Sequence, residues 1–146
     1  MNYSVEFFFE DVESIEILDE ILISKLIFLI HNELKREGDL SVVFCSDEYL
    51  IKMNKEYLQH DYYTDIITFD YVEENVISGD LFISLDRIKD NARKFDVPVI
   101  NELYRVVFHG VLHLVGYNDK TDEEKKMMRE KENFYLSKVD FGGMKL

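Results

Sequence analysis

Positive charge, cysteine, proline and glycine are all scarce in this chain, and each scarcity excludes something. Seventeen Lys and Arg stand against thirty Asp and Glu, for a net charge of -13. Loose nucleic-acid binding driven by bulk charge is therefore disfavoured, although a locally positive cleft remains open, above all one that holds a divalent metal. The one cysteine, Cys45, excludes an intrachain disulfide and agrees with a reducing compartment. It lies in the apolar run Leu40 to Cys45 and reads as a buried, inert thiol. One proline and six glycines leave no linker-like segment, and neither a repeat nor a low-complexity tract divides the chain. The N-terminus lacks a basic region followed by an apolar core and a cleavage site, so no signal peptide is expected. The densest apolar stretch, Ile21 to Ile30, is interrupted by Ser24 and Lys25 and is too short to span a bilayer. These absences predict a soluble, cytoplasmic protein without membrane partners.

What is present is an apolar fraction of 47% over 146 residues, enough for one globular domain covering residues 1-146. Tyr3 to Phe9 reads as a first strand. Ser14 is placed to cap a helix running to about Arg36, with Gly38 as its stop. Leu40 to Cys45 is a second strand, and Asp47 caps a helix through Tyr57. A loop from Leu58 to Asp65 leads to a strand at Ile66 to Phe69. Gly79-Asp80 reads as a turn before a strand at Leu81 to Ile83. Ser84 or Asp86 starts a further helix, and Pro98 suits the first turn of the next. Thr121 with Glu124 forms a capping box for the last helix, in which Met127, Met128, Phe134 and Tyr135 read as packing residues. The order predicts an α+β domain with a small mixed four-stranded sheet packed with helices. The helix that carries Ile100, Leu103, Val107, Val111 and Leu114 as its buried stripe is expected to be central.

That helix also carries the chemistry. His109 and His113 lie four residues apart, just over one helical turn, so both imidazoles project from one face. Gly116 can end the helix and turn the chain so that Asp119 faces them. Two His and one carboxylate with a vacant fourth position form the ligand set of a catalytic zinc site. The spacing H-x-x-x-H-x-x-G-x-x-D repeats the metzincin zinc signature, with Asp119 in place of the last His. The glutamate base that those proteases carry after the first His is absent, because Gly110 stands there. Glycine at 110 serves either the approach of a bulky substrate or close helix packing. A carboxylate ligand weakens the Lewis acidity of the ion and admits harder metals such as manganese.

The stretch His109-Gly110-Val111-Leu112-His113-Leu114-Val115-Gly116-Tyr117-Asn118-Asp119 resembles the H-G-x-x-H-x-x-G-Y-D-H motif of the YbeY family of bacterial endoribonucleases. Upstream, Asn54-Lys55-Glu56-Tyr57 resembles that family's N-x-x-Y. Thr64-Asp65-Ile66-Ile67-Thr68-Phe69 resembles its T-D-V-L-S-F, and Gly79-Asp80-Leu81-Phe82-Ile83-Ser84 its G-D-I-x-I-S. The blocks fall in one order over roughly Leu40 to Leu136. The resemblance implies zinc-dependent cleavage of single-stranded RNA in ribosomal RNA maturation and ribosome quality control. It also implies association with the ribosome or its assembly factors. Two positions depart from the pattern. Asp119 stands where the family has a third His, and Leu58 where it usually has Arg; His60 is a candidate replacement for that cation.

The sequence therefore predicts metal-assisted hydrolysis of an RNA phosphodiester, with His109, His113 and Asp119 on the ion. Asp65 and Asp80 are the candidate general bases, with structural alternatives as a cap before a strand and as a turn residue. Lys52, Lys55, Arg87, Arg93, Lys94 and Arg105 are available to guide RNA. Two competing readings are a metallopeptidase and a non-catalytic ribosome assembly factor with a structural metal.

Overall fold

A computed structural model describes residues 5–15, 19–57 and 64–142. The elements run β1 (Val5–Phe9), α1 (Asp19–Asn32), β2 (Arg36–Cys45), α2 (Asp47–Tyr57), β3 (Ile66–Asp70), β4 (Val76–Ser84), α3 (Leu85–Lys94), α4 (Val99–Val115) and α5 (Asp122–Leu136). The four strands form one sheet in the order β1-β2-β4-β3. β1, β2 and β4 are parallel, and β3 closes the edge antiparallel to β4. The expected mixed four-stranded α+β architecture is the one found.

Strand alternation sends residues of β2 and β4 to two faces. Leu40, Val42 and Phe44 of β2 join Ile77, Leu81 and Ile83 of β4 in the main core. Against this face lie α1, through Leu22, Leu26 and Leu29, and α4, through Leu103, Val107 and Val111. Cys45 and Ile67 turn the other way and meet Leu50 of α2, with Tyr49, Phe69 and Phe82 packed around them. Cys45 is fully buried there, and burial pushes its thiol pKa up to about 12, so it is no nucleophile.

Several boundaries differ from those read in the sequence. α1 begins at Asp19, and Ser14 lies before it in non-helical chain. The helix stops at Asn32, and Leu34 takes a left-handed φ of 63°. Gly38 is not the stop: it lies inside β2, where the register with β4 shifts between Glu37 and Leu40. Ser46, not Asp47, caps α2 by accepting from the Tyr49 amide at 3.1 Å. Asp47 instead accepts from Ser84 Oγ and Arg87 Nε. Gly79 and Asp80 form no turn, because both pair with β2 on one side and β3 on the other. Pro98 is the N-cap of α4, one position ahead of its first turn. In α5 the capping box is present, but of the four expected packing residues only Met128 and Tyr135 are buried; Met127 and Phe134 are largely exposed.

Candidate metal centre

α4 has two faces, and its sequence separates them. Ile100, Leu103, Val107, Val111 and Leu114 fill the core. Glu102, Arg105, His109 and His113 recur at steps of three and four and line up along another side. Gly110 lies between the two: a Cβ there would stand 2.7 Å from Ile66 Cδ1 and 3.0 Å from a Leu81 methyl. The glycine thus serves close packing of α4 on β3 and β4, and the protease position for a base is filled by the sheet.

The helix ends as its glycine requires. Gly116 adopts φ 127°, a conformation side chains rarely take. The Gly116 amide donates to His113 O, and the Tyr117 amide donates to Leu112 O at 3.0 Å, the paired bonds of a Schellman stop. The reversed chain brings Asp119 back to the imidazoles. His109 Nε2 and His113 Nε2 are 3.0 Å apart, and Asp119 Oδ2 lies 3.2 Å and 3.5 Å from them.

The opposite ring atoms decide what these three can do. His109 Nδ1 bonds Glu132 Oε2 at 2.7 Å, and His113 Nδ1 bonds the Tyr117 carbonyl at 2.9 Å. Carboxylate and carbonyl oxygens only accept, so in the neutral rings, the form that binds a metal, both Nδ1 atoms carry the proton and both Nε2 atoms present lone pairs. Two lone pairs and a carboxylate oxygen therefore converge with no donor among them. A tetrahedral ion with bonds of about 2.0–2.1 Å spaces its ligands by about 3.3–3.4 Å, a spacing that the triangle's edges of 3.0, 3.2 and 3.5 Å bracket. The residues present fit a metal, and the trio can hold one.

Behind His109 stands a buried charge network. Glu132 of α5 and Glu102 are each 2% exposed. Arg105 bridges them, with Nε on Glu102 Oε1 at 2.9 Å and Nη1 on Glu132 Oε1 at 3.0 Å. Burial works against charge on Glu132, yet bonds from His109 and Arg105 outweigh it and hold its pKa below the ordinary range. Burial likewise opposes charge on His109, and the Glu132 bond and charge prevail, raising its pKa. A carboxylate behind a ligating imidazole fixes its orientation and makes it a stronger ligand. On the other side, Tyr117, whose carbonyl holds His113, donates its hydroxyl to Glu33, just past the end of α1. Tyr135 and Lys131 of α5 also donate to Glu33.

A cavity of about 280 Å³ opens beside the trio, lined by His109, Asp119, Asp65, Glu132 and three cations, Arg105, Lys125 and Arg129. Asp65, just before β3, is thus brought to the metal side. Asp80 is not: Gly79 and Leu81 meet α4, so Asp80 points from the opposite sheet face, where Tyr71 donates to it at 3.2 Å. Of the six cations read as RNA guides, only Arg105 lines this cavity. Arg87 and Arg93 are engaged by Asp47 and Asp90, and Lys52 lies in a groove on the other face. Leu58 and His60 lie outside the described residues. Glu132, Lys125 and Arg129 were not singled out in the sequence. A charge on the buried Met128–Tyr135 stripe was the available signal for Glu132.

A sheet-backed helix that aims two imidazoles and a carboxylate at one point, beside an open cavity, defines an α+β domain with a candidate metal site. The family model described as Endoribonuclease YbeY matches residues 9–140, and the chain belongs to that family. Endoribonuclease YbeY of Parabacteroides distasonis is 56% identical over 103 residues, covering 70% of this chain and 72% of that protein. Its namesake in Flavobacterium johnsoniae is 45% identical over 133 residues, 90% of each chain. The solution structure of TM1509 from Thermotoga maritima is similar with a TM-score of 0.64 at 25% identity, covering 97% of this chain and all of that one. No helix among the described residues is long and apolar enough to cross a membrane.

Proposed function

We propose that this chain is a metal-dependent, single-strand-specific endoribonuclease acting in ribosomal RNA maturation and ribosome quality control. The observation that carries the reading is the convergence of His109 Nε2, His113 Nε2 and Asp119 Oδ2 beside a cavity that Asp65 also lines. The relatives' name supplies the reaction class. Zinc is the ion the donor set favours, with manganese admitted by the carboxylate. When bound, the ion supplies Lewis-acid charge at the phosphodiester and eases deprotonation of water. Asp65 is the cavity carboxylate that takes the proton from the attacking water. Glu132 and the Tyr117 carbonyl hold the two imidazoles in register, and Arg105 holds Glu132. The partners are ribosomal RNA and the ribosome or its assembly factors, in the cytoplasm.

Two other readings are weaker on specific grounds. A peptidase base at position 110 would collide with Ile66 and Leu81. A purely structural ion is not needed to tie down the final loop, because Glu33 already binds Tyr117 and α5. The test is chelation followed by zinc or manganese return, with cleavage of single- and double-stranded RNA and circular dichroism read in parallel. The expected result is loss of single-strand cleavage with a native spectrum, and recovery on return of metal. Cleavage that persists in the fully stripped protein overturns the proposal.

A further inference from the structure

Thirteen excess negative charges make RNA binding a problem that this chain must solve locally. The cavity beside the trio holds three carboxylates, Asp65, Asp119 and Glu132, and three cations, Arg105, Lys125 and Arg129. They cancel, so a divalent ion leaves the pocket with two positive charges in excess. Arg105 is not available to a ligand, since two buried carboxylates hold it. Lys125 and Arg129 differ. They sit four residues apart on α5, on one side of the helix, and both are exposed. The Arg129 side chain is 55% exposed and touches Glu132 only at 3.5 Å, on an oxygen that Arg105 already engages at 3.0 Å.

The space continues past these cations. A second cavity of about 360 Å³ shares Arg105 and Arg129 with the first and runs between α4 and α5 to Phe95, Val97 and Asn101. Phe95 offers a ring that is 57% exposed. Asn101 Oδ1 is buried and, among the described residues, accepts no hydrogen bond. An exposed ring and an unused acceptor beyond a pair of cations suit one nucleotide of a single strand: phosphate first, base next.

We infer that Lys125 and Arg129 hold the phosphate flanking the one cut at the metal, and that the flanking base lies against Phe95 with Asn101 accepting from its edge. This rests on the endoribonuclease reading and adds the strand's path: along the α4–α5 groove, away from the aromatic groove on the other sheet face. These are binding residues, and they act whether or not the ion is present.

The test is binding of a fluorescent single-stranded RNA across a salt series, with the protein both metal-loaded and chelated. The double variant Lys125→Ala, Arg129→Ala should lower the slope of log affinity against log salt by about 0.7, the value for one phosphate of a single strand left without its cations. KM for cleavage should rise more than kcat falls. Lys125→Arg with Arg129→Lys should restore the slope. Phe95→Ala should weaken binding about tenfold and leave the slope unchanged. Lys52→Ala, on the other face, should change neither. If the wild type binds and cleaves RNA while the double variant keeps its slope and KM, this strand path is wrong and the enzyme reading stands. A slope lowered by Lys52→Ala instead of by the double variant would move the strand to the opposite face. A metal-loaded wild type that neither binds nor cleaves RNA sinks both.

Discussion

Each face of the sheet has a groove beside it among the described residues. On the α2 face, Tyr49, Met53, Tyr57, Phe69 and Phe82 line a cavity of about 490 Å³ that includes Asp80. On the α4 face, the cavity beside the trio is only about 280 Å³. The larger one is the aromatic one, and its rings satisfy one another: Phe69 meets Phe82 edge-on at 5.8 Å, and Tyr57 meets Phe69 at 6.1 Å. The smaller one gathers unsaturated donors: two imidazole lone pairs, each oriented from behind, and a carboxylate. Size and apolar lining mark a place where something fits, whereas convergent lone pairs mark a place that can hold an ion. Asp65 and Asp80 both lie in motif blocks at or beside strands, and the fold sends them to different grooves.

The contrast between the faces breaks most severely if the α4 face loses a ligand without consequence. His113→Ala removes one corner of the triangle. Metal affinity should fall by more than the roughly 10–100-fold that loss of an outer partner costs, and RNA cleavage should vanish with it. Full metal occupancy in the purified variant would reject the assignment. Glu132→Gln comes next. It keeps a hydrogen-bonding oxygen for His109 and removes the charge, so metal affinity should fall by about 10–100-fold. Competition with a chelator of known affinity reads it. An unchanged constant would mean that the buried carboxylate serves the fold and not the ion.

These two residues also divide what the sequence made legible from what it did not. The histidine pair is visible because its partners are four residues apart, and Gly116 and Asp119 follow in register within one turn and one loop. Local spacing is written in the chain. Glu132 meets His109 across 23 positions and Arg105 across 27, and only the packing of α5 on α4 supplies that geometry. The same divide runs through the fold. α4 and the capping box of α5 follow from periodicity and local hydrogen bonding. The end of α1 does not, since an exposed Leu34 takes the left-handed conformation for which Gly38 was the natural candidate. Asp80 misled for a related reason: Gly-Asp reads as a turn until two neighbouring strands supply its hydrogen bonds.

A smaller effect concerns how the metal side is braced. Burial disfavours charge on Glu33, but bonds from Tyr117, Tyr135 and Lys131 outweigh it and lower its pKa in the folded chain. A depressed carboxylate stabilises the fold above its unfolded value, near 4.3, and loses that contribution as pH falls through the folded value. Glu33→Gln should therefore cost about 1–2 kcal/mol near neutral pH, with the difference from wild type shrinking towards zero in the acid range. Urea midpoints across that range measure it. A gap that stays constant into acid would show that shape, not charge, is what Glu33 contributes.

The smallest expected effect is the sharpest test of the two-face contrast. Asp80→Asn preserves size and one accepting oxygen, and it lies in a strand whose neighbours Gly79 and Leu81 meet α4 while it faces away. Metal content and RNA cleavage should stay within about twofold of wild type, because no part of the trio or of its supports is touched. What should move is local. Burial and the charge and hydrogen bond of Asp80 raise the pKa of Tyr71, so the variant should bring that phenol back towards its ordinary value. Resonance-resolved titration of Tyr71 reads the change directly. If cleavage instead drops tenfold while metal content holds, the aromatic face takes part in catalysis, and strand parity has not separated the two carboxylates in function.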